Sequence, residues 1–305
     1  MAALVAEPVR LQVLLTGFEA SPAALAADAA IGLVALWYGS AVVVLRRRGR
    51  RWPGLSTACF LSGLALVFVG VGSGLAAYDD VNFSAHVVQH IVLMMVAPPL
   101  VVLGRPLTLV LQSSPRRLQS AGARAVRSDL VRHLTGSAAG VAYYGFMWAY
   151  FFTPLYSWSV RSEPVHDGVH GLLVLLGLAY WQFVLAPDRT PHQATHFRRI
   201  GAIILGMPVE MYLGFALRGL DHPVGPGTTT ASTQAGGLVF WWLSMLVSGV
   251  ALAVAVGQWM VADERAARRL DAVAERAVAD EWSPSGYEEA ARFPSSSGQA
   301  GISRG

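Results

Sequence analysis

Long apolar stretches separated by short polar segments dominate the chain. Seven of them approach the roughly 20 residues that an α-helix needs to cross a bilayer. Each is predicted to be helical, because a lone backbone segment in lipid must satisfy its own hydrogen bonds. The stretches cover residues 26–45, 57–77, 84–104, 136–156, 165–186, 199–220 and 235–260.

This pattern predicts an all-α fold, a polytopic membrane bundle of about seven transmembrane helices. We expect the bundle to occupy 26–262. An interfacial segment at 1–25 precedes it, and a cytoplasmic tail at 263–305 follows, helical at first and then disordered. No stretch outside the bundle is long enough for a soluble domain of useful size.

Arginine clusters alternate among the predicted connections between spans. RRRGRR closes the first span, and further clusters follow the third, fifth and seventh spans. Positive residues concentrate in cytoplasmic loops of membrane proteins. The pattern therefore predicts that the N-terminus lies outside, that the C-terminus is cytoplasmic, and that the lipid bilayer surrounds the chain. The clusters lie at 46–51, 116–132, 189–199 and 265–269.

Composition narrows the classes of function. Apolar residues make up 54% of the 305 residues and charged residues 14%. The net charge of +4 comes from arginines beside the spans, so no nucleic-acid partner is expected. The absence of lysine excludes a retinal pigment, because the Schiff base needs a lysine amine. Cys59 alone cannot form a disulfide or a cysteine-based metal motif within the chain.

Two histidine pairs with the same spacing begin two of the apolar stretches. His86 and His90 open the third span, and His166 and His170 open the fifth. Residues four apart lie on one face of a helix, so each pair can offer two nitrogens to one ion. The predicted topology brings both pairs to the same outer depth. Ionisable residues inside a membrane are functional by default, so the four histidines are predicted to bind a metal.

Several other side chains could assist such a site. Met94 lies one turn beyond His90, and Met207 and Met211 lie in the sixth span. Imidazole together with thioether favours copper, especially Cu(I), over hard cations. Asp167 could orient a histidine ring by contacting its nitrogen without binding the metal itself. Glu210, within the sixth span, could do the same or relay protons, with Arg218 as a distant partner, or could simply be protonated and bonded to a neighbouring helix.

Aromatic residues crowd the fourth span and its end. Trp148, Tyr150, Tyr156 and Trp158 are typical of an interfacial belt, where amphipathic rings lie at the depth of the lipid headgroups.

Other functions remain open from the residues alone. A zinc protease is disfavoured, because HVVQH has Val87 where the general base Glu is required. A membrane electron carrier with bis-histidine haem is the main alternative to copper binding. A cation or proton transporter that uses Glu210 is a weaker one, because the chain has no continuous polar stripe. We therefore expect a protein that is not an enzyme.

Four segments together resemble the CtaG family of bacterial cytochrome c oxidase assembly factors. They are FSAHVVQHIVLMMVAPPLVVLGRP, FFTPLY, HDGVH and TQAGGLVFWW. The resemblance runs from the second span to the seventh. It implies a seven-helix protein of the bacterial plasma membrane that helps to mature the oxidase and takes part in delivering copper to its catalytic subunit, subunit I.

The resemblance also has consequences for individual residues. It implicates His86, His90, His166 and His170 in the copper step, and it implies an extracytoplasmic copper chaperone as a further partner. Where family members often carry an Asp-Gln pair before the last span, this chain has Thr233 and Gln234. We therefore do not expect a role here for the aspartate of that pair.

Overall fold

A computed structural model describes residues 22–72, 83–126, 128–129, 136–188 and 194–281. Within these ranges the regular structure is helical, and the predicted all-α class is confirmed. Eleven α-helices and one π-helical segment follow each other along the described chain. They are α1 (Pro22–Arg47), α2 (Gly54–Gly72), α3 (Phe83–Ile91), π1 (Val92–Val96), α4 (Ala97–Leu103), α5 (Pro106–Ser113), α6 (Arg116–Val126), α7 (Ser137–Phe152), α8 (Leu155–Arg161), α9 (Glu163–Leu185), α10 (His196–Arg218) and α11 (Thr230–Glu281).

Six segments of the described chain are long and apolar enough to cross a membrane. They match six of the seven predicted stretches. The third segment, Phe83–Ser113, has 61% of its most apolar window buried inside the protein, against 22% for α1 and α2. The segment that carries the first histidine pair therefore lies at the centre of the bundle, and α1 and α2 face lipid.

The stretch predicted as the fourth span, 136–156, forms two helices. α7 has 16 residues and α8 has 7, and Thr153 and Pro154 separate them. Thr153 adopts an extended conformation, as the residue before a proline commonly does. Since α7 alone is shorter than the roughly 20 residues of a typical span, the count of seven spans and the sidedness of the termini stay predictions.

The central segment changes its helical geometry in the middle. Pro98 has no N–H group, so the carbonyl oxygen of Met94 loses its usual partner four residues on. The indole Nε1 of Trp181 donates to that oxygen at 3.1 Å instead. The N–H of Ala97 bonds to the carbonyl of Val92, which gives the wide turn of π1. Such turns inside α-helices are frequent at functional sites.

Glycines allow neighbouring helices to approach the central segment. A Cβ on Gly177 of α9 would lie 2.6 Å from the carbonyl oxygen of Met94, and one on Gly63 of α2 would lie 2.7 Å from the backbone nitrogen of Val101. Small residues at such contacts are a common means of helix association in lipid. The side-chain amide of Gln89 also donates to the carbonyl of Gly70 at 2.8 Å. α2 and α9 thus hold the central segment from two sides.

Polar contacts fix the C-terminal end of α9, which is the end far from its histidines. Arg199 is buried and donates from Nε to the carbonyl of Val184 at 2.6 Å. Arg105 donates to the carbonyl of Pro187 from Nε at 3.1 Å and from Nη2 at 3.0 Å. Asp188 accepts hydrogen bonds from the backbone N–H and the hydroxyl of Thr108. Burial raises the pKa of the Asp188 carboxyl, although these hydrogen bonds and Arg105 oppose the shift.

The chain divides into two compact units, Met1–Ala255 and Val256–Gly305. The first unit holds every helix up to α10 and the first part of α11. In the second unit the described residues, 256–281, form the charged end of α11, and the division of the tail at 263 into a helical start and a disordered end stays a prediction. An interfacial segment is expected at 1–25, and its residues 1–21 lie outside the described part of the chain. Helix α1 begins at Pro22. The expected disorder falls on 282–305, also outside the described part.

Candidate metal centre

Two helices supply the four histidines that the sequence analysis selected. α3 carries His86 and His90, whose ring centroids are 4.1 Å apart. α9 carries His166 and His170, whose ring centroids are 4.3 Å apart. Both spacings follow from residues four apart on one helical face. Each helix therefore presents its pair as a ladder of two imidazoles.

The two ladders face each other across the helix interface. The rings of His86 and His166 are 5.5 Å apart, and those of His90 and His170 are 5.4 Å apart. Ligating atoms of His86, His90 and His166 all lie within 4.8 Å of one another. Nitrogens bound to one tetrahedral ion are about 3.3 Å apart for bonds of about 2.0–2.1 Å. Small side-chain rotations would therefore bring these rings onto one ion. We call the four histidines the histidine cage.

Three members of the cage are shielded from solvent. His86, His90 and His170 are 1%, 7% and 5% exposed, and His166 is half-buried. The Nε2 atoms of His90 and His170 are buried and have no hydrogen-bond partner among the described residues. A buried polar atom without a partner costs about 1–3 kcal/mol and needs an explanation. Two such nitrogens in one cluster fit a bound cation with neutral imidazole ligands.

A chain of hydroxyl groups holds the remaining buried ring. Nε2 of His86 lies 3.0 Å from the hydroxyl of Tyr150, which lies 2.9 Å from Oγ of Ser159. Ser159 donates its proton to the carbonyl of Tyr156 at 2.8 Å. In the consistent proton order Tyr150 donates to Ser159 and accepts from His86, which leaves Nδ1 of His86 with the lone pair. Such contacts orient metal-binding histidines.

The aromatic residues of α7 and α8 depart from the expected belt. Tyr150 and Tyr156 are 1% and 3% exposed and pack against the cage, because α7 and α8 fold over the starts of α3 and α9. Trp158 is exposed as a belt residue would be, whereas Trp148 is partly buried against the core. The sequence analysis missed the contact of Tyr150 with His86. Its only sequence signal is a polar ring in an otherwise apolar stretch.

The pair Thr233 and Gln234 supports the loop near the cage. The backbone N–H of Val224 donates to Oγ1 of the buried Thr233 at 3.2 Å, and the amide of Gln234 donates to the carbonyl of Leu220 at 2.9 Å. One helical turn on, Gly236 makes room for Phe83, whose ring packs against Tyr156 at 5.7 Å. Thr233 and Gln234 therefore hold the backbone of this loop next to the rings of Phe83 and Tyr156, which cover the cage.

Met94 lies next to the cage, whereas Met207 and Met211 do not line the cavity beside it. Met94 and His90 line the same small cavity. Asp167, between the two histidines of α9, is half-buried, and its orienting role stays a prediction.

Glu210 belongs to a separate polar cluster. It is buried and accepts a hydrogen bond from Oγ of Ser248 in α11 at 2.8 Å, which agrees with the alternative that Glu210 bonds a neighbouring helix. Tyr144 and Tyr180 share a hydrogen bond of 2.7 Å nearby. Tyr180 lies ten residues beyond His170, which is about 15 Å along α9. This distance disfavours contact between Glu210 and a metal in the cage.

The cavity beside His90 is much smaller than a haem site. It has a volume of about 20 Å³, and the other three histidines of the cage do not line it. Cavities that hold small organic ligands measure about 300–1,000 Å³. This cavity therefore has room for a single ion and not for a porphyrin.

The fold and the cage together define a multi-pass membrane protein with a buried, all-nitrogen cluster at the start of two helices. Comparison with known proteins gives its family. Residues 36–262 match the family described as cytochrome c oxidase caa3 assembly factor (Caa3_CtaG), and the chain belongs to it. The resemblance found in the four sequence segments is thereby confirmed.

Mycobacterial proteins with no assigned function are similar to this chain. One from Mycobacterium tuberculosis and one from Mycobacterium bovis are each 29% identical over 268 residues, which is 82% of this chain and 40% of theirs. One from Mycobacterium leprae is 27% identical over 278 residues, 83% of this chain and 42% of its own length. The chain thus spans about two fifths of the length of these relatives. No solved structure matches the chain.

Proposed function

We propose that this assembly factor binds one copper ion in the histidine cage and delivers it to subunit I of cytochrome c oxidase. It receives the ion from an extracytoplasmic copper chaperone, works in the bacterial plasma membrane and acts by binding and release instead of catalysis. The proposal rests on the meeting of two histidine ladders, in which the buried Nε2 atoms of His90 and His170 have no hydrogen-bond partner among the described residues.

The surroundings of the cage favour Cu(I) over other ions. Aromatic rings of Phe83, Tyr150 and Tyr156 pack against His86, and His86, His90 and His170 are buried. Because charge is costly to bury, a divalent ion would be harder to bring into this site than Cu(I), which carries a single charge. Imidazole is a good ligand for copper. We therefore expect the protein to retain Cu(I) and to exclude hard cations such as Mg²⁺.

Delivery requires that the ligands can be replaced one at a time. His166 is half-buried, whereas the other three rings are buried. The Nε2 atom of His166 is itself buried, so this side chain must rotate before a ligand of a partner reaches the ion there. His90 and His170, one helical turn deeper, retain the ion until the exchange is complete.

Metal analysis of purified protein tests the site. Wild-type protein loaded anaerobically with Cu(I) and passed through a desalting column should retain about one copper per chain. His90→Ala combined with His170→Ala should retain almost none and still fold, as judged by circular dichroism. His222→Ala is the matched control, because His222 is exposed and bonds only Asp221 among the described residues. Stoichiometric copper in the double variant would overturn the assignment.

A cellular assay tests the delivery step. A strain that lacks the protein should assemble oxidase with too little copper in subunit I, and the wild-type gene should restore it. The double histidine variant should reach the membrane in normal amounts and fail to restore copper. Full restoration by that variant would show that the cage is not the source of the ion.

A further inference from the structure

A small cavity lies beside His90 of the histidine cage, and its mostly apolar wall includes several methionines. Three methionines from two elements contribute to its wall, together with one histidine of the cage. Its volume is about 20 Å³, room for one sphere of the size of water. The lining relevant here is His90, Met94, Met95, Met147 and Tyr150.

The sequence builds this concentration of thioethers in two steps. Met94 and Met95 are neighbours that would point apart on a regular α-helix, yet both line the cavity because they lie in the wide turn of π1. Met147 comes from α7, which crosses above the turn and also carries Tyr150. All three methionines are buried, at 2%, 0% and 5% exposure.

Simple packing explains part of this arrangement. Methionine adapts to irregular gaps and is common in cores for that reason. Packing does not account for the histidine in the wall. His90 is more than nine-tenths buried, its Nε2 has no hydrogen-bond partner among the described residues, and it lines the cavity beside the thioethers. An imidazole nitrogen and two or more thioether sulfurs around one small void form a ligand set for a soft monovalent ion.

We propose that this cavity is a second position for Cu(I), held by His90 and by the sulfurs of Met94 and Met147. His90 is shared with the histidine cage, so the ion passes between the two positions by exchanging ligands around one ring. The proposal rests on copper binding by the cage and adds a second binding position, which we call the thioether station. No change of oxidation state is involved, because thioethers bind Cu(I) and the ion arrives in that state.

The thioether station would add to the preference for Cu(I) that the surroundings of the cage provide. Imidazoles bind Zn²⁺, Ni²⁺ and copper alike, whereas thioethers select soft ions. An ion held by His90, Met94 and Met147 is therefore Cu(I), or Ag(I) as its laboratory substitute. Zn²⁺ stays confined to the cage.

Substitution of the two proposed ligands tests the station. Met94→Leu with Met147→Leu removes the sulfurs and keeps volume and hydrophobicity, so the fold should survive. The Kd for Cu(I), measured by competition with a coloured Cu(I) chelator, should rise about tenfold or more, which is about 1.4 kcal/mol. The Kd for Zn²⁺ should not change. Met207→Leu with Met211→Leu is the control, because these methionines do not line the cavity.

X-ray absorption of the copper gives a readout that does not depend on affinity. Protein labelled with selenomethionine and loaded with Cu(I) should show selenium among the nearest neighbours of copper. The signal should disappear in labelled Met94→Leu, Met147→Leu protein, although six labelled methionines remain. Labelled wild-type protein suffices if the double variant does not fold.

The outcomes separate this inference from the proposed function. Copper with nitrogen neighbours alone, together with an unchanged Kd in the methionine variant, would overturn the thioether station and leave the cage intact. Wild-type protein that retains no copper would overturn both. Loss of affinity for Cu(I) with preserved affinity for Zn²⁺ would support the station.

Discussion

The rings of His90 and His170 lie 5.4 Å apart and perpendicular to each other, although 80 residues of chain separate them. Their helices are held together just below this contact, where Gly177 approaches the carbonyl of Met94 and Trp181 donates to it. The distance between the histidine ladders is therefore set by the backbone contact at π1.

Gly177→Ala should destabilise the protein and weaken copper binding. The new Cβ would lie 2.6 Å from both the Met94 oxygen and Cγ of Pro98, so α9 must move away from π1. We expect a loss of about 1–3 kcal/mol in the free energy of unfolding. Thermal unfolding in detergent with and without Cu(I) measures both effects. Gly171→Ala, on the same helix with nothing within 4 Å of its Cβ, should be neutral or slightly stabilising.

Tyr150→Phe should lower the affinity for copper while the cage keeps its four histidines. The change removes the hydroxyl between His86 and Ser159, so the ring loses its orienting partner. Loss of such a contact typically raises a metal Kd about 10–100-fold. Chelator competition measures this change. Tyr212→Phe, at an exposed position on α10, should leave the Kd at the wild-type value, and an equal effect of both changes would refute the orienting role.

Glu210→Gln should leave copper binding unchanged. Glu210 bonds Ser248 in a cluster about 15 Å along α9 from His170, and an amide oxygen can accept the same hydrogen bond. Glu210→Ala should cost about 1–3 kcal/mol of stability, because the hydroxyl of Ser248 would be left buried without its acceptor. A clear rise in the Kd for copper in the Gln variant would place Glu210 in the metal site.

Asp188→Asn should stabilise the protein above mildly acidic pH. Burial raises the folded-state pKa of Asp188 above its usual value, so the folded state favours the protonated carboxyl. The resulting contribution to stability is present below the unfolded-state pKa and is lost as pH rises through the folded-state pKa. The amide keeps an acceptor for Thr108 and does not titrate. Unfolding temperatures of wild type and of Asp188→Asn measured over a pH series should differ more and more, in favour of the variant, as pH rises through that range. Parallel curves would contradict the raised pKa of Asp188.

The sequence was sufficient for those features that depend on one helix at a time. Long apolar stretches predicted the positions of six spans, and the spacing of His86 and His90 predicted two rings on one face. Both are properties of a single stretch of chain. The family resemblance was also carried by local segments, such as the one around His86.

Features that depend on how helices face each other could not be predicted. Periodicity gives the apolar face of a helix and does not say which neighbour it meets. The aromatic pattern therefore places Tyr150 at the lipid interface and gives no role to Met147. The sequence allows Glu210 to bond a neighbouring helix but does not identify Ser248 as the partner. The wide turn at π1 could not be predicted either, because it depends on Pro98 together with the indole of Trp181 from another helix.

The Nε2 atoms of His90, His166 and His170 are all buried, so none of these nitrogens meets solvent directly. An ion held there, as proposed, would leave only after a side chain or a helix has moved. Exchange with a partner would then be coupled to a conformational change, and the rate of that motion would limit the rate of release.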